Sequence, residues 1–353
     1  MNPARRAWLL GLLAPVAQAQ GNDDAVRRGR PLAFPRDHGA HLQARTEWWY
    51  ATGWLGSEAA PTAGFQITFF RSRTGLAQDS RSRFAARHLL FAHAALTTLS
   101  NGVHRHDQRI ARWSGSVPSA LGQAAINDGD VRLGPWSLRR DARAWHARVP
   151  ARDFTLDLKL APTQPVLLQG DAGFSRKGPD EAQASHYYSE PQLLATTGTG
   201  EQGRAWLDHE WSDQILHPEA VGWDWIGMNL FDGGALTAFV LRRRDGSALW
   251  AGGSFRAAGG AVQAFGPNAV RFKPGRRWQS PATAASYPMQ WQVDIPAGTF
   301  SVRALADAQE LDSRASTGTV YWEGLSELLD AQGRRVGLGY LEMTGYAAPL
   351  RMR

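Results

Sequence analysis

Residues Ala205–Trp211 read Ala-Trp-Leu-Asp-His-Glu-Trp, two carboxylates around a histidine with a tryptophan near each end. On a strand, alternation sends Trp206, Asp208 and Glu210 to one face and Leu207, His209 and Trp211 to the other. An acid and an indole then share a face close to mid-chain. Residues 339–346, Gly-Tyr-Leu-Glu-Met-Thr-Gly-Tyr, carry a second copy of the pattern, with Tyr340 and Glu342 in the places of Trp206 and Asp208. In this reading the first copy keeps the acidic chemistry and the second largely loses it.

Other blocks recur in the same order. Trp145-x3-Val149-Pro150-Ala151-x2-Phe154 returns as Trp291-x3-Ile295-Pro296-Ala297-x2-Phe300, and Arg71–Gly75 returns as Arg242–Gly246. Tyr187-Tyr188 precede Trp206 by the same spacing as Tyr321-Trp322 precede Tyr340. Such matches point to tandem homologous domains, the alternative being that β-hairpins share one grammar. The expected bounds are 30–211 and 221–350, with Ser212–Ala220 as linker and with Asp208 and Glu342 on equivalent strands.

Strand signals fill both parts. Glu47 and Trp49 alternate with Trp48 and Tyr50; Phe65, Ile67 and Phe69 alternate with Gln66, Thr68 and Phe70; Phe154, Leu156, Leu158 and Leu160 form another half-buried row. Asn101-Gly102 and Asp128-Gly129 mark turns. Helical periodicity is weak outside the first residues, and Ser119–Ile126 reads as a short helix. The fold class is therefore all-β: two tandem antiparallel barrels, the closure that hides the edges of many short strands.

Arg5 and Arg6, the apolar run Ala7–Val16 and Ala17-Gln18-Ala19 form a secretory leader, cleaved after Ala19. The expected location is periplasmic or secreted, with no membrane-spanning segment. Among 353 residues there is no cysteine, which excludes a lipid-anchored cysteine, disulfides and thiolate metal sites. The net charge of +7 comes from arginines scattered among acids, and Arg242–Arg244 runs straight into Asp245-Gly246. That pattern argues against nucleic-acid binding. The informative excess is 15 tryptophans, which either fill a β core or line an apolar pocket.

Gly198–Gly203 fits GxGxxG, but a strand rather than a helix follows, so no phosphate loop is expected. Neither GxSxG nor HExxH occurs, which leaves a hydrolase reading without a nucleophile–base pair. His104-Arg105-His106 reads as an exposed pair beside a turn, and no metal site is expected. Asp208 has two readings. It is an acid paired with an arginine at a barrel mouth, or it is a general acid whose pKa is raised by aromatic surroundings. His186 and Tyr188 alternate on one face and are expected to share its pocket, with Glu210 or His186 as base. Trp206, Tyr187, Tyr188, Trp49 and Glu47 are the expected ligand-lining residues.

The stretches EWWYATGWL, GFQITFFRSR, HYYS, WLDHEW, GWDWIG, YWEG and GYLEMTGY together resemble the AttH-like / CrtC-type carotenoid 1,2-hydratase family over residues 30–350. The resemblance implies two lipocalin-like β domains and, as in the carotenoid enzymes, cofactor-free addition of water to an isoprenoid double bond. It places the family's acid on Asp208, an aromatic neighbour on Trp206 and an upstream His-x-aromatic pair on His186 and Tyr188. Fungal relatives catalyse pericyclic cyclisations. An apolar small-molecule ligand follows, with a non-catalytic lipid carrier serving a membrane exporter as the rival reading.

Overall fold

The computed structural model describes residues 24–214 and 216–350. The expected leader lies outside the described residues. The first half contains β1 (Thr46–Gly56), β2 (Pro61–Arg73), β3 (His88–Thr98), β4 (Val103–Trp113), β5 (Gly122–Ala124), β6 (Asp130–Leu133), β7 (Trp136–Arg140), β8 (Trp145–Pro150), β9 (Thr155–Ala161), β10 (Leu167–Leu168), β11 (Phe174–Arg176), β12 (Ala184–Thr197) and β13 (Gln202–Ser212). They form one antiparallel sheet in the order β4-β3-β2-β1-β13-β12-β9-β8-β7-β6-β5, with β10 and β11 on β12. Its ends approach through β4, β5 and β6, so the sheet curls into a nearly closed barrel.

The second half contains β14 (Gly222–Leu230), β15 (Ala235–Arg242), β16 (Ala248–Arg256), β17 (Val262–Phe265), β18 (Arg271–Pro274), β19 (Arg277–Gln279), β20 (Ser286–Pro288), β21 (Gln290–Ile295), β22 (Gly298–Ala304), β23 (Glu310–Asp312), β24 (Val320–Leu329) and β25 (Arg335–Met343). Its main sheet runs β17-β16-β15-β14-β25-β24-β22-β21-β18. Among the described residues the helix content is one short 3-10 turn, Arg36–His38. The helix expected at Ser119–Ile126 is instead β5 and its flanks. Gly122 and Ala124 point inward and pair with β6, which buries them with a two-residue period. Among the described residues no helix is long and apolar enough to cross a membrane.

Alternation builds each core. Trp49 and Ala51, Phe65, Ile67 and Phe69, Leu156, Leu158 and Leu160, and Ala205 and Leu207 fill the first barrel. Ile226, Met228, Trp291, Val293, Leu341 and Met343 fill the core of the second half. The repeat is visible in the register. Asp208 lies opposite Tyr50 and Ser189, and Glu342 lies opposite Trp225 and Glu323.

The faces left over by the two cores meet each other. Tyr50, Trp54, Trp206, Trp225, Leu325, Leu338 and Tyr340 bury one another in a seam between the halves. The seam is reciprocal: β1 lies against β25, and their counterparts β14 and β13 lie against each other. Trp225 meets Tyr50 edge-on at 5.4 Å and Trp206 at 6.5 Å, centroid to centroid. A β-bulge between Glu190 and Leu193 turns Gln192 into the left-handed region, at φ +59°. Gln192 then donates through Nε2 to the carbonyls of Leu230 and Gly234, and through its backbone N–H to Asn229 Oδ1, each at 2.8 Å.

The histidine pair read as exposed is in fact half-buried, and the second half reaches His106. His104 binds Thr97 Oγ1 at 2.9 Å, and His106 Nε2 accepts the Asp312 N–H at 3.4 Å. His93 contacts the Tyr321 hydroxyl and Ser316 Oγ, both at 2.8 Å. A lone strand pattern cannot reveal a partner that arrives from two hundred residues away.

A seam this dry should hold without the connecting chain. Protease cleavage within residues 213–220 is expected to leave two fragments that co-elute on size exclusion under native conditions. Fragments that separate without denaturant would contradict it.

Candidate active site between the two halves

Asp208 is fully enclosed on β13, facing the second half. Its Oδ1 accepts hydrogen bonds from Ser189 Oγ at 2.5 Å and Trp206 Nε1 at 2.6 Å; its Oδ2 accepts from the Tyr187 hydroxyl at 2.7 Å. The donors are themselves oriented. Gln169 Nε2 donates to Ser189 Oγ at 2.8 Å, and Trp225 Nε1 donates to the Tyr187 oxygen at 3.2 Å. Both hydroxyl protons are thereby directed at the carboxyl group. Burial pushes Asp208 up to about 7, against the opposing pull of these three hydrogen bonds. Oδ2 accepts a single bond, so its second lone pair can carry a proton.

The same face holds more acid. Glu210 pairs with Lys177 Nζ at 3.0 Å, and that ammonium lies over the rings of Tyr187 and Phe239, at 4.6 and 4.4 Å. Across the seam stand Glu323 and Glu342. Burial pushes Glu342 up to about 7, a Trp223 hydrogen bond opposes it, and the charges of Asp208, Glu210 and Asp224 add to it. Burial and Glu342 together hold Glu323 well above the carboxylate range. The second half has thus kept acids on its mating face, Glu323 buried and Glu342 half-buried, contrary to the sequence reading.

An open cleft of about 480 Å³ leads in from the surface between the halves. Phe174, Phe239, Trp250 and Phe265 line it, with Arg28, Arg176 and Gln169 as polar groups. Gln169 reaches from the cleft to Ser189 and, at 3.1 Å, to Thr237. Cleft and acid are therefore joined through one amide and one hydroxyl.

The structure brings Tyr187, Trp206, Asp208 and Glu210 together. His186, Tyr188, Trp49 and Glu47 lie on the opposite face. His186 pairs with Trp211 and Tyr188 with His209, so both follow the other parity of β13. His186 accepts the Arg27 N–H at 3.3 Å, and burial lowers it to about 4. Neither His186 as base nor Tyr188 and Trp49 as cation-facing rings can act with Asp208, which also faces the seam and not a cavity of the first barrel.

Glu47 instead anchors a buried polar network. Its carboxylate meets His41 Nδ1 at 2.8 Å, His209 Nε2 at 3.0 Å and Arg71 Nε at 2.8 Å. Burial would raise Glu47, but Arg71, His209 and His41 outweigh it and hold it well below the usual range. His41, Glu47 and His209 could each offer one atom to a metal ion. The donor set argues otherwise. His41 Nε2 is turned to Asp37 at 3.0 Å, and the Arg71 guanidinium occupies the side where a cation would be repelled. We read this group as structural.

Gln169, Lys177, Trp225, Glu323 and Glu342 escaped the sequence reading as site residues. The matched position of Trp225 and Tyr50 after the double-aromatic strand starts was the available signal for one of them.

A family profile described as AttH-like matches residues 25–346. A crystal structure of a protein from Nitrosomonas europaea, provisionally named AttH, is 44% identical, covers 91% of this chain and 99% of its own, and superposes with a TM-score of 0.81. Kievitone hydratase from Nectria haematococca shares the fold at 14% identity, with a TM-score of 0.65, covering 90% of this chain and 94% of its own. No curated protein sequence matches.

The two acid centres should respond oppositely to pH. Glu47→Gln leaves Arg71 uncompensated and should cost roughly 3–5 kcal/mol at neutral pH. Glu47 is depressed, so the stability it contributes is present above the unfolded pKa and is lost as pH falls; the deficit of the variant shrinks in acid. Asp208 is raised from 3.8 to about 7, so its stabilising effect is present below the lower value and lost as pH rises through the upper. Asp208→Asn should therefore gain on the wild type between those limits. Chemical denaturation of both variants across that range checks the two signs.

Proposed function

The chain belongs to the AttH-like family, and we propose that it binds an apolar, isoprenoid- or lipid-like small molecule between its halves and adds water to an alkene of that ligand without a cofactor. The observation that carries this reading is Asp208: a buried carboxyl group pushed up to about 7, fixed by three oriented donors and joined through Ser189 and Gln169 to an aromatic-lined cleft. A carrier of neutral lipid gains nothing from such a group, whose burial costs free energy. A general acid needs it. The fold also accommodates the reaction class, since kievitone hydratase shares it.

The steps balance as follows. Asp208 Oδ2 gives its proton to the less substituted carbon of a trisubstituted alkene, and the π electrons form the new C–H bond. The resulting tertiary cation faces the indoles of Trp206 and Trp225, each worth about 0.5–2 kcal/mol of cation–π attraction. Water forms the C–O bond, and its excess proton passes to Glu210 and then back to Asp208 across the shared face. Gln169 and Ser189 hold the acid in place while the ligand covers the cleft.

Asp208→Asn tests the proposal before any substrate is known. The variant should stay folded, losing about 1–2 kcal/mol against the protonated wild type in acid, because one amide hydrogen now meets the Tyr187 hydroxyl, and recovering that loss as pH rises towards 7. Mass spectrometry of the co-purified ligand should find a product one water heavier with the wild type and only the unhydrated form with the variant. Hydration should fall by roughly 10²–10⁴-fold. Equal hydration in both proteins would overturn the catalytic reading in favour of a carrier.

A further inference from the structure

The β2–β3 connection, residues 74–87, stands out from the end of the first barrel. It carries the two most exposed large apolar side chains among the described residues, Leu76 at 69% and Phe84 at 67%. Side-chain bonds hold the loop in this shape. Thr74 Oγ1 donates to the Ala86 carbonyl at 2.7 Å, Gln78 Nε2 donates to the Leu76 and Arg87 carbonyls at 3.0 and 3.1 Å, and the Phe84 N–H donates to Ser82 Oγ at 3.1 Å. Arg73, Arg81 and Arg83 are exposed along the same segment, Arg87 is half-buried, and Asp79 is its one acid.

The neighbouring turn adds to the patch. His88, which starts β3, pairs with Trp113, which ends β4, so the segment after β4 emerges at the same end of the barrel. There Val117 is 56% and Leu121 52% exposed. Arg45, also exposed at this end, donates its backbone N–H to Oδ1 of the exposed Asp213. The barrel end is therefore a set of apolar prongs with a cationic rim.

We propose that this end docks on an anionic lipid bilayer, with Leu76 and Phe84 entering below the headgroups and Arg81 and Arg83 meeting the phosphates. Two features select a bilayer as the occupant. The apolar groups stand on protruding tips and not in a groove or on a flat face, whereas protein partners need a complementary apolar core. The rim is cationic, the sign that complements anionic headgroups. The inference does not depend on the chemistry assigned to Asp208.

Co-sedimentation of the full chain with vesicles tests it, using phosphatidylcholine alone and phosphatidylcholine with one-quarter phosphatidylglycerol. The wild type should sediment with the anionic vesicles, weakly with the neutral ones, and less as salt is raised. The pair Leu76→Ser with Phe84→Ser should reduce anionic-vesicle binding by roughly tenfold or more. The pair Arg81→Glu with Arg83→Glu should do the same, and both should melt with the wild type because the side chains touch little. No binding by the wild type would overturn the proposal. So would undiminished binding by the Leu76/Phe84 pair, because the contact would then be adsorption by charge alone.

Discussion

From Ala205 to Ser212, strand β13 is buried on both faces, and the rest of the structure follows from that constraint. One face closes the first barrel, and the other meets the second half. A polar group buried there is costly unless a protein partner meets it. Asp208 finds Ser189, Trp206 and Tyr187. His209, one residue on, finds Glu47 and the Asp37 carbonyl. Two polar networks thus lie back to back across a single strand.

The networks differ because of what accompanies the acid. Glu47 has a guanidinium within 2.8 Å and is held ionised. Asp208 has only neutral donors and keeps a proton to higher pH. The two faces of β13 therefore hold an ion-paired carboxylate, brought by β1, and an unpaired one, carried by the strand itself. Both are equally buried, so burial alone would not have told them apart. The decisive variable is the presence of a cation.

Much of this was legible in the chain. The alternation in AWLDHEW assigns its two faces correctly, and the repeated blocks anticipate that Asp208 and Glu342 occupy equivalent strands. What failed was pairing. His186 and Tyr188 were grouped with Asp208, whereas Ser189 is the residue opposite it and Tyr187 the one opposite Glu210. A slip of one residue in register exchanges the two faces, and alternation within each strand is blind to it. Gln169 and Lys177 come from irregular segments, and Trp225, Glu323 and Glu342 come from the other half. Their approach depends on tertiary docking, which no local pattern encodes.

The reciprocal seam has a consequence for how the two halves came to differ. The contacts of β1 with β25 and of β14 with β13 join counterpart strands reciprocally, the pattern of an isologous dimer. A half joined to an identical copy would present matching surfaces, and any residue change would be imposed twice. Joining the copies in one polypeptide removes that obligation. One half can place Ser189 opposite its aspartate while the other places Glu323 opposite its glutamate. The space between the halves is then bounded by two different walls.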